Sequence, residues 1–322
     1  MTTDGRLGPS RRWLAAAALA AGFSPKLASA QPIITRKAAG SILAPDPPVY
    51  VPPTNLNLVA DIYERMTAPV RVGGRGPYPF VVDTGANQSV LSLELAKELG
   101  LPIGPMEPLH GVAGVQMEPT TIASLVLGGR NHADVHLSLL PAAAIGGPGM
   151  LGLDRLADQC VTLNFRTRTM IIEDSRRTYR DRADRVLPAT KRDGQLTLVD
   201  ADVADVPVTA FIDSGAQSTI GNHALHELAF KRNPDAATMG TSIISVTGQS
   251  LTAQMAKLPR LRIGGLSLPN WPVAFADLHT FELWRLNDRP AILLGVDILT
   301  RFEYVSLDFP RSEVRVRIPG EF

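Results

Sequence analysis

An apolar run that ends in Asp, a hydroxyl residue, Gly and Ala occurs twice in this chain, as Phe80-Val81-Val82-Asp83-Thr84-Gly85-Ala86 and as Phe211-Ile212-Asp213-Ser214-Gly215-Ala216. Three further landmarks recur in the same order. Leu125-Val126-Leu127-Gly128-Gly129 returns as Leu261-Arg262-Ile263-Gly264-Gly265, Met150-Leu151-Gly152-Leu153-Asp154 as Leu293-Leu294-Gly295-Val296-Asp297, and Val161-Thr162-Leu163-Asn164-Phe165 as Val305-Ser306-Leu307-Asp308-Phe309. The separations grow smoothly: 130 residues between Asp83 and Asp213, 136 between Gly128 and Gly264, 143 between Gly152 and Gly295, 144 between Phe165 and Phe309. Loop insertions in one copy produce that drift while the strands keep their order. The chain must therefore fold as two copies of one unit, each delivering a carboxylate to a tight turn.

Length and charge fit that reading. The 322 residues suit two lobes of ordinary domain size, each able to bury a core. With Lys+Arg 32 against Asp+Glu 31, the net charge of +1 sets up no field for nucleic acid or anionic lipid, and neither partner is expected. Within each copy, short apolar segments broken by Gly and Pro predict an all-β fold with one short helix per lobe. Ser92 can cap a helix over 93–99 with Gly100 as its stop, and Asn222 can cap one over 223–230. Hairpins over 161–172 and 305–318 are expected to close the two copies.

Four segments follow. Residues 1–30 read as a signal peptide: Arg6, Arg11 and Arg12 precede an eleven-residue apolar run, and Ala28-Ser29-Ala30 offers a cleavage site. That run is too short to cross about 30 Å of hydrocarbon as a helix. Ser10-Arg11-Arg12-Trp13-Leu14 also resembles a twin-arginine export signal, so the chain is expected outside the cytoplasm, in a bacterial periplasm. Residues 31–66 form a Pro-rich arm or linker, 67–185 an N-terminal lobe with the interlobe connection, and 186–322 a C-terminal lobe. The charged stretch 173–185 reads as a solvated connection. The single cysteine, Cys160, can form no internal disulfide, so the core must hold the fold.

These motifs resemble the aspartic endopeptidases of pepsin and retropepsin type, over roughly residues 67–318. Ala86, Leu99-Gly100-Leu101 and Gly111-Val112-Ala113-Gly114 are similar to retropepsins in particular, and among bacterial relatives the chain looks most like exported, PerP-type proteases of envelope proteins. Retropepsins bring one Asp from each of two subunits, whereas this chain carries both, so a monomer suffices. The resemblance implies two retropepsin-like lobes fused in one chain, with Asp83 and Asp213 as the catalytic pair. It implies that Thr84 and Ser214 bond across the lobes, that Gly85 and Gly215 let backbone amides approach the acids, and that Leu151-Gly152 and Leu294-Gly295 form psi-shaped loops around them. The substrate is then a polypeptide, cleaved without metal or cofactor.

Two carboxylates at contact distance cannot both ionise, so one can serve as general base on a water while the other donates a proton. Ala86 and Ala216 carry no hydroxyl to stabilise an ionised carboxylate, which predicts a less acidic optimum than pepsin's. Candidate flaps are 109–116, centred on Gly111, Val112, Ala113 and Gly114, and its twin Ser245-Val246-Thr247-Gly248-Gln249; His110 could touch substrate there, although a lone loop histidine is more often only solvated. Competing sites are weaker. His132 and His136 fall in an expected strand, about 13 Å apart along its axis; His223 and His226 lack a third ligand nearby; Asp154 and Asp297 read as structural acids at a turn or helix start. No G-x-S-x-G elbow or P-loop occurs. The alternative from another class is a catalytically silent protein that binds peptides in the same cleft.

Overall fold

A strand that is apolar at every position needs neighbours on both faces, which is how parallel strands of a buried sheet read. Phe80, Val81 and Val82 are fully buried, as are Ala210 and Phe211 in the second copy. Each run pairs in parallel with the strand that precedes the later glycine: Val81 and Val82 with Met150 and Leu151, and Thr209–Ile212 with Ala291–Leu294. The strand leaving the acidic turn pairs antiparallel on the other side of that same strand, through Val90–Ser92 in one copy and Ile220–Gly221 in the other. Both copies thus tie the same knot. The computed structural model describes residues 54–57, 59–60, 65–175, 184–192, 195–198, 201–231 and 237–320. The expected signal peptide, most of the Pro-rich arm and residues 176–183 of the connection lie outside them.

In the N-terminal lobe, eight strands form one sheet, and Met66–Val72 pairs with both Arg75–Val82 and Gly114–Leu127, bending the sheet back on itself. The long hairpins of both lobes turn on the repeated Gly-Gly pairs. Gly128 and Gly129 take φ of 56° and 79°, Gly264 and Gly265 of 53° and 90°. Two consecutive left-handed residues give the tight turn whose twist matches antiparallel strands, and glycine adopts it without a Cβ penalty.

The two expected helices form as read. Ser92 accepts a bond from Leu95 N at 3.1 Å ahead of Leu93–Leu99, and Gly100 ends that helix at φ 68°. Asn222 caps His223–Phe230 through Leu225 N at 2.9 Å. Its amide nitrogen also reaches the carbonyls of Leu286 and Arg289, so one side chain joins helix, loop and sheet. Further short helical turns, at Ala142–Ile145, His279–Leu283 and Val296–Leu299, are too brief to leave a periodic signal in sequence.

The terminal hairpins do not close the copies separately. Cys160–Asn164 lies antiparallel to Tyr304–Asp308, from Cys160 opposite Asp308 to Asn164 opposite Tyr304, so the two hairpins build a shared sheet. Thr162 sits opposite Ser306 at its centre and donates to it at 2.8 Å. Each hairpin would otherwise present an unpaired edge, and pairing the edges satisfies both backbones. Arg185–Arg192 joins the same sheet against Glu313–Arg317. Within the expected solvated connection Arg185 is exposed, but the Asp184 side chain is almost wholly buried and accepts bonds from Arg317 at 2.7 Å and from the Tyr304 hydroxyl. Cys160 is buried and unoxidised, against Ser306 and Arg315.

Candidate active site

Each acidic turn is held from behind by its psi loop. Asp83 N donates to Leu151 O and Asp213 N to Leu294 O, both at 3.0 Å; Leu153 N returns a bond to Ala86 O, and Val296 N to Ala216 O, both at 2.8 Å. At Gly152 and Gly295 the turn backbone passes so close that a Cβ would sit 2.6 Å from the carbonyl carbons of Gln88 and Ser218 respectively. The expected psi-loop residues therefore meet around the turns. Two hydroxyls that the sequence reading missed complete the support. Ser89 Oγ accepts from Gly152 N at 3.0 Å and donates to Asp154 at 2.7 Å; Thr219 Oγ1 accepts from Gly295 N at 3.2 Å and donates to Asp297 at 2.8 Å. Asp154 and Asp297 thus fix the turns from outside, in keeping with their reading as structural acids. Ser89 and Thr219 stand 130 residues apart, the offset of the two Asp residues, and that shared offset was the signal for them.

The lobes then bring the turns together. Thr84 Oγ1 donates to Ile212 O at 2.9 Å and accepts from Ser214 N at 3.0 Å; Ser214 Oγ donates to Val82 O at 2.8 Å and accepts from Thr84 N at 3.1 Å. These four reciprocal bonds lie in a buried interface. Asp83 Oδ1 accepts from Gly85 N and Ala86 N at 2.8 and 3.0 Å, and Asp213 Oδ1 from Gly215 N and Ala216 N at the same distances. A Cβ at Gly85 would strike the Asp213 carboxylate, and one at Gly215 the Asp83 carboxylate, so glycine is required at both by the opposing acid. Each carboxyl faces the turn of the other, so the two titrate as one interacting pair. Burial pushes the pKa of both above the ordinary carboxylate range, and the charge of Asp83 pushes Asp213 further. The turn amides and the charge of Arg65 act on Asp83 in the opposite direction.

A cleft of about 570 Å³ opens over this pair. Val90, Leu140 and Met150 line one side, and Leu278, Trp284 and Leu293 the other. The candidate flap residues form hairpin tips: Val112 and Ala113 turn between Gly111 and Gly114, and residues 245–249 turn between Met239–Ile244 and Ser250–Ile263. The tips meet. Ala113 N donates to Gln249 Oε1 at 3.0 Å, Gln249 Nε2 to Gly114 O at 3.3 Å, and His279 N to Val112 O at 2.7 Å. His110 Nδ1 lies 3.1 Å from His279 Nε2 with the rings stacked, and His279 Nδ1 contacts Glu282 at 3.0 Å. Each tip also places a valine on the opposite lobe, Val112 on the cluster of Phe281 and Trp284, Val246 on that of Val90 and Met150. Gln249 lies in the expected second flap, but its contact and that of His279 with the first tip left no local sign, because those partners are more than a hundred residues away.

The other histidines stay apart from the cleft. His132 and His136 lie along one strand, His136 facing Glu107 at 3.6 Å. His223 pairs with Glu227 at 3.5 Å, and His226 packs against Phe230 and Phe275. No group of three or more His, Cys, Asp or Glu placed to hold a metal occurs among the described residues.

Two β-rich lobes, each presenting an Asp-hydroxyl-Gly turn to the other above a psi loop, define an aspartic-protease type of fold and site. The family model described as aspartyl protease matches residues 68–155 and 199–298, together more than half of the chain, and the chain belongs to that family. None of the curated proteins compared with it matches.

Proposed function

We propose that this protein is an aspartic endopeptidase that hydrolyses peptide bonds with a water held between Asp83 and Asp213. The observation that carries the reading is the reciprocal setting of the two carboxyls, each anchored by two turn amides and faced by the opposing glycine. Their mutual repulsion and burial favour a pair that holds one proton. The ionised member takes a proton from water as the water oxygen adds to the scissile carbonyl carbon, and the protonated member gives its proton to the carbonyl oxygen. Collapse of that tetrahedral diol breaks the C–N bond: the departing amine takes a proton from the pair, one hydroxyl of the diol gives its proton back to the pair as the new carboxyl carbonyl forms, and the pair again holds one proton. The apolar walls on both sides of the pair fit hydrophobic side chains flanking the scissile bond. Arg6, Arg11 and Arg12 ahead of an apolar run, with Ala28-Ser29-Ala30 after it, support export, with an envelope or exported protein as substrate.

The test is digestion of a diverse peptide library by the full chain beside Asp83→Asn and Asp213→Asn. Cleavage abolished in both variants supports the pair. Equal cleavage by wild type and either variant refutes it, and peptide binding without cleavage at any pH assigns the chain as a silent binder.

A further inference from the structure

We infer that Arg65 is a positioning residue that supplies the counter-charge for the carboxylate pair, a role its neutral counterpart in the other lobe cannot fill. The repeat relation identifies the two positions. Thr67 pairs with Val81 and Thr197 with Phe211, each two residues before an Asp, so Arg65 corresponds to Gln195. Both are buried. Gln195 Nε2 donates to Gly85 O and to Asn87 Oδ1, both at 3.0 Å, which sets that position against the back of the Asp83 turn in the opposite lobe. Arg65 lines the cleft together with Asp83 and Asp213, and its charge acts on Asp83. Its guanidinium is fixed there by a bond from Nη2 to Ile145 O at 2.7 Å.

The backbone gives neither lobe an electrostatic advantage, since the amide bonds to the two carboxylates have equal lengths. The difference lies in the residues at the equivalent positions 65 and 195. The ionisable residues lining the cleft are Arg65, Asp83, His110 and Asp213 among the described residues, and Arg65 is the one that stays cationic at every working pH. A fixed cation in a partly desolvated cleft favours the singly ionised pair over the fully protonated one. A neutral amide at position 195 offers a dipole and no net charge. Arg65 therefore offsets part of the upward push of burial and keeps the working monoanion populated at lower pH. This inference rests on the proposed catalytic pair, and the experiment separates the two.

Titration of the full chain carrying 13C-carboxyl aspartate, assigned with Asp83→Asn and Asp213→Asn, reads the pair's first ionisation with no need for activity; the acidic limb of kcat/KM reads it again if peptides are cleaved. Arg65→Gln, which copies the other lobe, is expected to move that ionisation up by about one pH unit, and Arg65→Lys to keep it near the wild-type position. An unshifted ionisation in folded Arg65→Gln overturns the inference even if the protein is a protease. A shift in a protein that cleaves nothing upholds the counter-charge and rejects the endopeptidase. Should Arg65→Gln not fold, Gln195→Lys adds a cation behind the Asp83 turn and is expected to lower the ionisation by a similar amount; no change there overturns the inference.

Discussion

Removing the hydroxyl of Thr84 isolates the contribution of the cross-lobe bonds. Thr84→Val keeps the shape and the β-branch of a side chain that is 1% exposed, yet deletes the donor to Ile212 O and the acceptor for Ser214 N. Both main-chain groups lie in the lobe interface, and each unsatisfied buried group costs about 1–3 kcal/mol. The expected loss for the two groups is about 2–6 kcal/mol, a large share of the roughly 5–15 kcal/mol that holds an ordinary domain. Ser214→Ala deletes the mirror pair, to Val82 O and from Thr84 N, and should cost about the same. The four bonds share one interface, so the double variant should lose less than the sum of the singles, with a coupling of about 0.5–3 kcal/mol. Urea unfolding followed by tryptophan fluorescence and by far-UV circular dichroism measures all three, and coincident transitions justify the two-state treatment. Thr84→Ser, which retains the hydroxyl, should stay close to wild type. A Thr84→Val protein within about 0.5 kcal/mol of wild type would show that the hydroxyl network does not hold the lobes.

Other consequences can be measured separately. A carboxyl whose pKa is raised on folding binds its proton more tightly in the native state, so stability falls as pH rises from the unfolded value near about 4 through the raised native one; Asp213→Asn should flatten that decline and raise Tm at neutral pH, and an unchanged pH profile of Tm would count against the burial argument. Cleavage should peak at weakly acidic to neutral pH, and Ala216→Ser, which adds a donor beside Asp213, should move the optimum downward; a wild-type maximum near about pH 2 would contradict the reading of the alanines. Gly85→Ala drives a methyl group into the Asp213 carboxylate, so peptide cleavage should fall by at least about a hundredfold while the far-UV spectrum is kept; retained activity would mean that the carboxyls are not seated as described. Gln249→Ala removes the partner of Ala113 N, and the amide of Ala113 should exchange with solvent faster by hydrogen-exchange mass spectrometry; unchanged protection of the tip would show that the two hairpins do not hold each other.

The repeat by itself determined much of this protein. Two apolar lead-ins ending in Asp, two downstream Leu-Gly pairs and two Gly-Gly turns set the number of lobes, the knot around each turn and the positions of both carboxyls, because strand alternation, turn chemistry and helix caps are local properties of the chain. The caps of Ser92 and Asn222 were legible for the same reason. Ser89 and Thr219 were legible too, had the offset of the Asp pair been applied to every hydroxyl nearby. Only the tertiary structure decided what faces what. It paired the terminal hairpins with each other, where the sequence reading had them close separate copies, since an open strand edge takes the partner that geometry offers. It set Gln249 and His279 against the first hairpin tip and a buried arginine beside the carboxyls. Such contacts depend on how two lobes dock, and docking is governed by the summed shape and polarity of both surfaces, which no short window of sequence contains.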